Sequence, residues 1–391
     1  MSTISMAPLL EKLVELIEIP ESHYQLAVER YDSVSRHFHR RESTLLEFEP
    51  RVYSQGSFRY GTVIRPLFEG EYYDLDLVCQ LEKLSKSETT QAQLRELIGK
   101  EVRGYARAHN FNKPAIPKRR CWRLEYADDV SFHIDILPAV SEDVDIIQAL
   151  IRLGVEPQFA ELAIAISDTD HVNFDIISRV WPASNSDGFG DWFVERMRPS
   201  SIGRRRQLVE ARLYASIDDV PVYAWKTPLQ RVIQILKRHR DVMFQDNPEL
   251  KPISMIITTL AAEAYRGELD LYDALAGVLD RMLDYVEPSR PRVKNPVNPL
   301  EDFADRWNTD PNGEQLYQNF RAWHRQAQSD LASISYLSGA DLDKLIGRSF
   351  DVNFSSRQSP VSIGSAAAAV PAVHIARQPV RIAAPARPWG A

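Results

Sequence analysis

Residues 72–78 read YYDLDLV, a run in which acidic and apolar residues alternate. Its alternating pattern predicts a β-strand with Leu75 and Leu77 on one face and with Asp74 and Asp76 side by side on the other. Two carboxylates this close raise each other's pKa unless a cation lies between them. A bare DxD is more often a solvated turn or strand edge, so the interpretation needs support from the rest of the chain.

A third carboxylate, Asp135, lies in the strand-like run SFHIDILP at residues 131–138. Hard oxygen ligands of this kind suit Mg²⁺, and also Mn²⁺. Three carboxylates on neighbouring strands can hold two such ions, one at an attacking hydroxyl and the other at a leaving pyrophosphate. We interpret the neighbouring His133 as structural, because Asp135 and a metal already suffice to activate a hydroxyl.

A glycine-serine turn precedes the acidic strand. In QGSFRYGT, Gly56 and Ser57 follow a β-like run and open a short helix that we expect to end near Pro66. Glycine lets the backbone approach a phosphate closely, and the amides at a helix N-terminus attract the phosphate charge. The turn alone is a weak signal. Together with the three carboxylates it predicts a site for a metal-bound triphosphate.

The sheet signals are confined to the first part of the chain. The first fifty residues have helical periodicity, which fits two helices or one helix interrupted near Pro20. Short β-rich runs follow, with one helical stretch around residues 89–109. This pattern predicts an α+β sheet domain with N-terminal helices over residues 1–209.

The strand signals vanish in the second part. We expect a helical lobe over residues 210–350, in which Thr227 is an N-cap and Pro228 the first helical residue. Residues 351–391 are rich in alanine, proline and arginine, and no acidic residue follows Asp351. Such a segment buries too little apolar surface to offset its ordering entropy, so we expect a disordered basic tail.

Composition excludes several classes of protein. A chain of 391 residues is long enough for two domains, and its net charge of −7 argues against a surface that binds nucleic acid as a whole. The two cysteines, Cys79 and Cys121, form no CxxC pair and cannot build a zinc ribbon. No apolar run approaches the ~20 residues that span a bilayer, and we expect a cytoplasmic protein without a membrane partner.

The motifs GSFRYGT, YYDLDLV and SFHIDILP resemble the nucleotidyltransferase core of the polymerase-beta superfamily. More narrowly they resemble the bacterial cGAS/DncV-like nucleotidyltransferases (CD-NTases), which share their architecture with oligoadenylate synthase and cGAS. The resemblance continues through KTPLQRVIQILKRHRD, KPISMIITTLAA and NPVNPLEDFADRW, so it covers roughly residues 50–310. It implies a polymerase-beta-like sheet domain flanked by helices, an all-helical lobe and a cleft between them. One departure is Asp302, where relatives often carry asparagine.

The resemblance also implies roles for seven residues. In relatives the acidic trio binds two Mg²⁺, the Gly-Ser loop holds the triphosphate, and a lysine and a serine of the helical lobe close over the donor nucleotide. The matching positions are Asp74, Asp76, Asp135, Gly56, Ser57, Lys237 and Ser254. Without the resemblance, Lys237 would be interpreted as a solvated lysine and Ser254 as an N-cap.

The implied activity is a magnesium-dependent, pyrophosphate-releasing nucleotidyltransferase. Its product would be a cyclic di- or trinucleotide second messenger with at least one purine, made from ATP or GTP in anti-phage defence of the CBASS type. The alternative is a linear oligonucleotide synthase, or an enzyme of the CCA-adding or poly(A) type. A DxD glycosyltransferase would explain neither the Gly-Ser turn nor Asp135.

Two features leave further partners open. The basic runs at 118–120 and 204–206 could contact nucleotide phosphates or a nucleic-acid activator, as in cGAS, although solvated positive faces are commoner. The tail ends in Trp389-Gly390-Ala391. This end fits conjugation by an E1/E2-like enzyme, which many CBASS operons encode, but terminal tails are usually inert.

Overall fold

The computed structural model of the protein describes residues 6–68, 70–127, 130–210 and 226–353. The expected α+β class is confirmed. A mixed sheet is built from β1 (Pro50–Gln55), β2 (Tyr73–Leu81), β3 (Ile116–Pro117), β4 (Trp122–Ala127), β5 (Ser131–Ser141), β6 (Ile164–Ile166) and β7 (Ala183–Ser184). A separate hairpin is formed by β8 (Lys294–Asn295) and β9 (Asn298–Asp302).

Helices precede, interrupt and follow the sheet. Those up to the end of the sheet are α1 (Ala7–Ile17), α2 (Glu21–Phe38), α3 (Gly56–Tyr60), α4 (Gln91–Ala108), α5 (Val144–Arg152) and α6 (Pro157–Ala160). Those after it are α7 (Ser186–Glu210), α8 (Pro228–Met243), α9 (Ser254–Ala264), α10 (Leu271–Arg281), α11 (Arg306–Thr309), α12 (Gly313–Ile334) and α13 (Gly339–Phe350). In the described part of the chain, no helix is both long and apolar enough to span a bilayer.

The strand order places the acidic strands side by side. It runs β1-β2-β5-β4-β3, and β6 pairs with the end of β5 and with β7. Strands β2 and β5 are parallel, with Asp76 opposite Asp135, while β1 is antiparallel to β2, with Gln55 opposite Asp76. The end of β1 therefore delivers residue 56 to the acidic edge of β2.

The two faces of β2 differ as its alternating pattern predicts. Leu75 and Leu77 are fully or almost fully buried in a core that the sheet shares with α2 and α4. Helix α4 begins at the expected place because Thr90 and Gln93 form a reciprocal capping box. Asp74 is exposed on the opposite face.

The N-terminal helices are two, as expected, and they pack into different cores. Helix α2 buries Val34 and Phe38 against the sheet. Helix α1 buries Leu10, Leu13 and Ile17 in the apolar core that also contains α8, α9, α10 and α12. The division of the chain at residues 209 and 350 stays a prediction, and the tail beyond residue 353 lies outside the described residues.

One expected boundary is wrong. The helix that opens at Gly56 ends at Tyr60 and does not reach Pro66. Gly61 follows it with φ of 64°, a left-handed conformation that glycine adopts without a steric penalty and that ends a helix. In contrast, α8 begins as predicted, because Thr227 and Gln230 form a capping box.

Candidate active site

Gly56 lies directly against the carboxylate of Asp76. It adopts φ of 69°, and a Cβ built on it would lie 3.2 Å from Cγ of Asp76 and closer still to Oδ2. Only glycine combines this backbone conformation with so close an approach. The turn and the acidic strand are therefore in contact, as the sequence predicts.

Helix α3, which starts at this turn, is held on α7 by polar and apolar contacts. The guanidinium of Arg59 donates to the carboxylate of Asp187, which is almost fully buried. The ring of Tyr60 packs on Phe189 and Phe193, with centroids 5.2 and 5.5 Å away. These contacts fix α3, and with it Ser57, against α7.

The three carboxylates occupy different environments. The Asp74 side chain is 65% exposed, whereas that of Asp135 is 18% exposed. Burial and, to a smaller extent, the charges of Asp74 and Asp135 together raise the pKa of Asp76 to about 7. Mutual repulsion among three carboxylates is the electrostatic signature of a site that a cation would relieve.

Asp135 is engaged by an arginine from the neighbouring strand. Nε and Nη2 of Arg123 donate to its two oxygens, both at 2.7 Å. Nη2 also lies 3.9 Å from Oδ1 of Asp74, and Nδ1 of His133 lies 3.5 Å from the same oxygen. The His133 ring stacks on Tyr72 with centroids 3.9 Å apart, which supports a structural role for this histidine.

A cleft of about 510 Å³ opens beside the turn, and its walls come from both parts of the chain. Four of the residues singled out from the sequence line it: Ser57, Asp74, Lys237 and Ser254. Of the described residues, Gly56, Asp76 and Asp135 do not line the cavity. Gly56 directly precedes Ser57 in the chain, and Asp76 lies two residues after Asp74 on the same face of β2. Asp135 is the partner of Asp76 on the adjacent strand β5.

Lys237 is buried on α8 and is not the solvated lysine of the alternative interpretation. Its Nζ donates to the carbonyl of Thr62 at 2.9 Å. Burial and, to a smaller extent, the charge of Arg240 together lower its pKa to about 7. The ammonium thus lies at the cleft wall, next to the segment that follows α3.

Other α8 side chains bind main-chain carbonyls of the same segment. Gln230 donates to Tyr60 O at 2.9 Å, and Gln234 donates to Val63 O at 2.9 Å. Arg238 donates to Arg65 O at 2.7 Å. Helix α8 therefore fixes the path of residues 60–65 along the cleft.

Ser254 is the first residue of α9 but not its N-cap, which is Ile253. Its Oγ accepts a hydrogen bond from Nη1 of Arg240 at 3.0 Å. Arg240 and Lys251 both bind Oδ1 of Asp241, at 2.7 and 2.8 Å from Nη2 and Nζ. The N-cap interpretation is wrong, because the hydroxyl belongs to a charged network in the wall of the cleft.

Sequence reasoning missed three cationic residues at this site, namely Arg123, Arg240 and Lys251. Lys251 opens the motif KPISM and could have been noticed there. Arg123 had no such signal, because only the antiparallel pairing of β4 with β5 places it opposite Asp135.

The basic run at 118–120 is largely neutralised within the fold. Nε of Arg119 and Nε of Arg120 donate to the two oxygens of Asp168, at 2.7 and 2.8 Å. Although burial opposes it, these hydrogen bonds lower the pKa of Asp168 to about 2. The run is therefore not simply a solvated positive face. The side chains of residues 204–206 lie outside the described part of the structure.

The acidic residues fit a hard divalent cation by chemistry, but they do not form a closed ligand set. Carboxylate oxygens are the ligands that Mg²⁺ prefers, and the charges of Asp74 and Asp135 add to the effect of burial in raising the pKa of Asp76. Within the described ranges, however, no three Asp, Glu, His or Cys side chains are arranged to hold a metal ion. The bidentate contact with Arg123 occupies one side of Asp135.

Comparison with known sequences supports the resemblance drawn from the motifs. Residues 50–138 match the sequence model of the family described as cyclic GMP-AMP synthase DncV-like, nucleotidyltransferase domain. The chain is 28% identical over 343 residues to the c-di-GMP synthase of Roseivirga ehrenbergii, covering 86% of this chain and 81% of that protein. It is 26% identical over 325 residues to the cyclic dinucleotide synthase CdnG of Bradyrhizobium diazoefficiens, with coverages of 77% and 70%.

Solved structures share the fold. The complex of Bradyrhizobium diazoefficiens CdnG with GTP superposes with a TM-score of 0.64 at 23% identity, covering 87% of this chain and 94% of that one. The Vibrio cholerae cyclic AMP-GMP synthase DncV, in complex with a linear intermediate, gives a TM-score of 0.53 at 15% identity. Coverages in that case are 90% of this chain and 86% of that one.

Proposed function

Because residues 50–138 form a nucleotidyltransferase domain of the DncV-like family, we propose that this nucleotidyltransferase makes a cyclic di- or trinucleotide from nucleoside triphosphates. The names of the relatives, a c-di-GMP synthase and a cyclic dinucleotide synthase, support this product class. We further propose ATP or GTP as substrates with at least one purine in the product, cytoplasmic action, and a role in anti-phage defence of the CBASS type.

One observation carries the proposal. The backbone of Gly56 contacts the carboxylate of Asp76, and Asp76 lies in register with Asp135 on the adjacent strand. Ser57 and Asp74 extend this group into a cleft whose opposite wall carries Lys237 and Ser254. The Gly-Ser turn and the acidic residues thus meet at one edge of the sheet, and Lys237 and Ser254 line the same cleft as Ser57 and Asp74.

Each group of residues in the cleft has its own role in the proposed reaction. Amides at the start of α3, with Ser57, would bind the donor triphosphate, and Lys237 and Ser254 would neutralise and orient it from the helical side. Asp74, Asp76 and Asp135 would hold two Mg²⁺ ions, or Mn²⁺. When bound, such ions lower the pKa of a hydroxyl and stabilise leaving pyrophosphate. Orientation of the acceptor ribose against the donor would come from the rigid strands β2 and β5.

The test is product analysis with matched variants. Purified protein is incubated with pairs of labelled nucleoside triphosphates and Mg²⁺, and pyrophosphate release and phosphatase resistance of the product are measured. We expect a phosphatase-resistant ring. Digestion with nucleases that are selective for 2′–5′ or 3′–5′ bonds then identifies the linkage in that ring. A phosphatase-sensitive product would instead favour a linear oligonucleotide synthase or an enzyme of the CCA-adding or poly(A) type.

Separate variants test the proposed role of the acidic residues in metal binding. Asp74→Asn and Asp76→Asn should each cost several kcal/mol of transition-state stabilisation and abolish pyrophosphate release. Asp170→Asn is the matched control, because the Asp170 carboxylate is also 65% exposed and paired with an arginine but belongs to another loop. Substantial turnover by the Asp74→Asn, Asp76→Asn double variant would contradict the proposal.

Conjugation through the tail remains part of the proposal as a partner interaction. The residues that would carry it, including Ala391, lie outside the described residues. A mass shift of the C-terminal peptide after incubation with an E1/E2-like enzyme and ATP would support it, and an unmodified C-terminus would contradict it.

A further inference from the structure

The guanidinium of Arg123 bridges two of the three carboxylates. Nε and Nη2 each lie 2.7 Å from an oxygen of Asp135, and Nη2 is 3.9 Å from Oδ1 of Asp74. The Arg123 and Asp135 side chains are only 22% and 18% exposed. Planar bidentate pairs of this kind are among the strong charge-assisted contacts in proteins.

The position of Arg123 is set by the sheet. Arg123 on β4 is the direct antiparallel partner of Asp135 on β5, so both side chains emerge on the same face. Nη1 lies 3.3 Å from Nδ1 of His133, whose ring is stacked on Tyr72. The guanidinium of Arg123 therefore lies between Asp135 of the adjacent strand and the stacked rings of His133 and Tyr72.

A bound guanidinium and a divalent cation compete for Asp135 in two ways. A carboxylate has about four acceptor positions, and the fork uses one on each oxygen. The positive charge of Arg123, which a guanidinium retains at any physiological pH, also repels a second cation nearby.

We propose that Arg123 is a positioning residue that clasps Asp135 and Asp74 while no divalent ion is bound, and that it must release Asp135 when the ion binds. This inference rests on the proposed function, because it takes these carboxylates as the metal ligands. Arg123 thereby raises the metal concentration at which the site assembles in the absence of nucleotide. Its charge also offsets the repulsion between Asp74 and Asp135, the two carboxylates that it contacts.

The test measures Mn²⁺ binding to the full chain without nucleotide, by electron paramagnetic resonance of the free ion. Arg123→Gln removes the charge and the fork, and we expect it to bind Mn²⁺ about ten-fold more tightly than the wild type. Arg179→Gln is the matched control. Arg179 also pairs with two carboxylates, those of Asp143 and Asp145, but lies on the surface away from the acidic trio. A merely structural arginine would not raise metal affinity when removed.

Thermal melting gives a second measurement. In EDTA, Arg123→Gln should melt below the wild type, because Asp135 loses its partner, and Mn²⁺ should raise its melting temperature more than that of the wild type. If Arg123→Gln fails to fold in EDTA, Arg123→Lys replaces it. Lysine retains the charge but not the fork, so its Mn²⁺ affinity should be intermediate, with a few-fold gain.

The outcomes separate this inference from the proposed function. Unchanged or weaker Mn²⁺ binding by folded Arg123→Gln, or by Arg123→Lys where that variant carries the test, would overturn the clasp. If Asp76→Asn then still abolishes Mn²⁺ binding, the carboxylate assignment stands. Wild-type Mn²⁺ binding by Asp76→Asn would overturn the carboxylate assignment itself, and the clasp with it.

Discussion

The backbone of Gly56 and the carboxylate of Asp76 are in direct contact, so the Gly-Ser turn and the acidic strand form one packed unit. Any displacement of the turn must therefore move an acidic side chain of the candidate site. This coupling yields the first prediction.

Gly56→Ala should lower kcat by about a hundred-fold, because the new methyl group would collide with the Asp76 carboxylate and shift it. Steady-state pyrophosphate release measures the effect. Gly154→Ala is the matched control, since Gly154 also has positive φ, at 93°, but no atom lies within 4 Å of the added Cβ. It should cost about 1 kcal/mol of stability and retain activity. Equal losses of activity in both variants would show that backbone strain, and not the collision, is responsible.

Lys237→Met should raise KM for the nucleoside triphosphate by at least about ten-fold, because a charge-assisted contact to phosphate is lost. Methionine retains most of the buried volume but leaves the Thr62 carbonyl without its donor, so the melting temperature should fall by only a few degrees. Lys100→Met, at an exposed position of α4, is the control. An unchanged KM together with a large loss of stability would instead show that Lys237 only holds the Thr62 carbonyl against α8 and does not bind the nucleotide.

Glu301→Gln should stabilise the protein in a pH-dependent way. Burial raises the pKa of Glu301 from its ordinary 4.5 to about 7, although Asn295 and Ser184 donate to it. The folded state therefore holds the proton more tightly than the unfolded state, and wild-type stability falls as pH rises from about 4.5 to about 7. The gain in unfolding free energy of Glu301→Gln over the wild type, measured with urea, should be larger by about 2 kcal/mol at pH 8 than at pH 5. A gain of equal size at both pH values would contradict the raised pKa.

Asp168→Asn should destabilise the fold by about 2 kcal/mol, because two guanidinium groups lose a buried anionic partner. It should also strengthen salt-sensitive binding to duplex DNA, because Arg119 and Arg120 are then free to meet phosphates. Urea unfolding and fluorescence anisotropy measure the two effects. Asp170→Asn removes only an exposed partner of Arg119 and should change stability by less than about 0.5 kcal/mol. Wild-type DNA binding by Asp168→Asn would show that the run at 118–120 has no latent affinity for phosphate.

Local patterns predicted those features that depend on local physics. Strand alternation was sufficient to put Leu75 and Leu77 in the core and the carboxylates on the other face. The capping box at Thr227 depends on residues three apart, so the start of α8 could also be predicted. The end of α3 could not, because Gly61 and Pro66 are both plausible ends and only the observed φ distinguishes them.

Features that depend on register and docking were not accessible from the sequence. The Arg123–Asp135 contact requires the pairing of β4 with β5, which no pattern within either strand specifies. The contact of Lys237 with Thr62 requires the docking of α8 on a segment about 175 residues earlier. Likewise, the period of α1 predicts a helix but not that its apolar face joins the core of the second part of the chain.

The contacts of α8 with residues 60–65 involve main-chain oxygens rather than side chains. A substitution at Ile64, whose side chain lines the cleft, can consequently alter that lining while the main-chain contacts of α8 on either side of it remain. The amides of Gln230 and Gln234 have no such freedom, since a shorter or apolar side chain at either position would leave a buried carbonyl without its donor. The course of residues 60–65 along the cleft is therefore set by α8, largely independently of the exposed side chains that the segment carries.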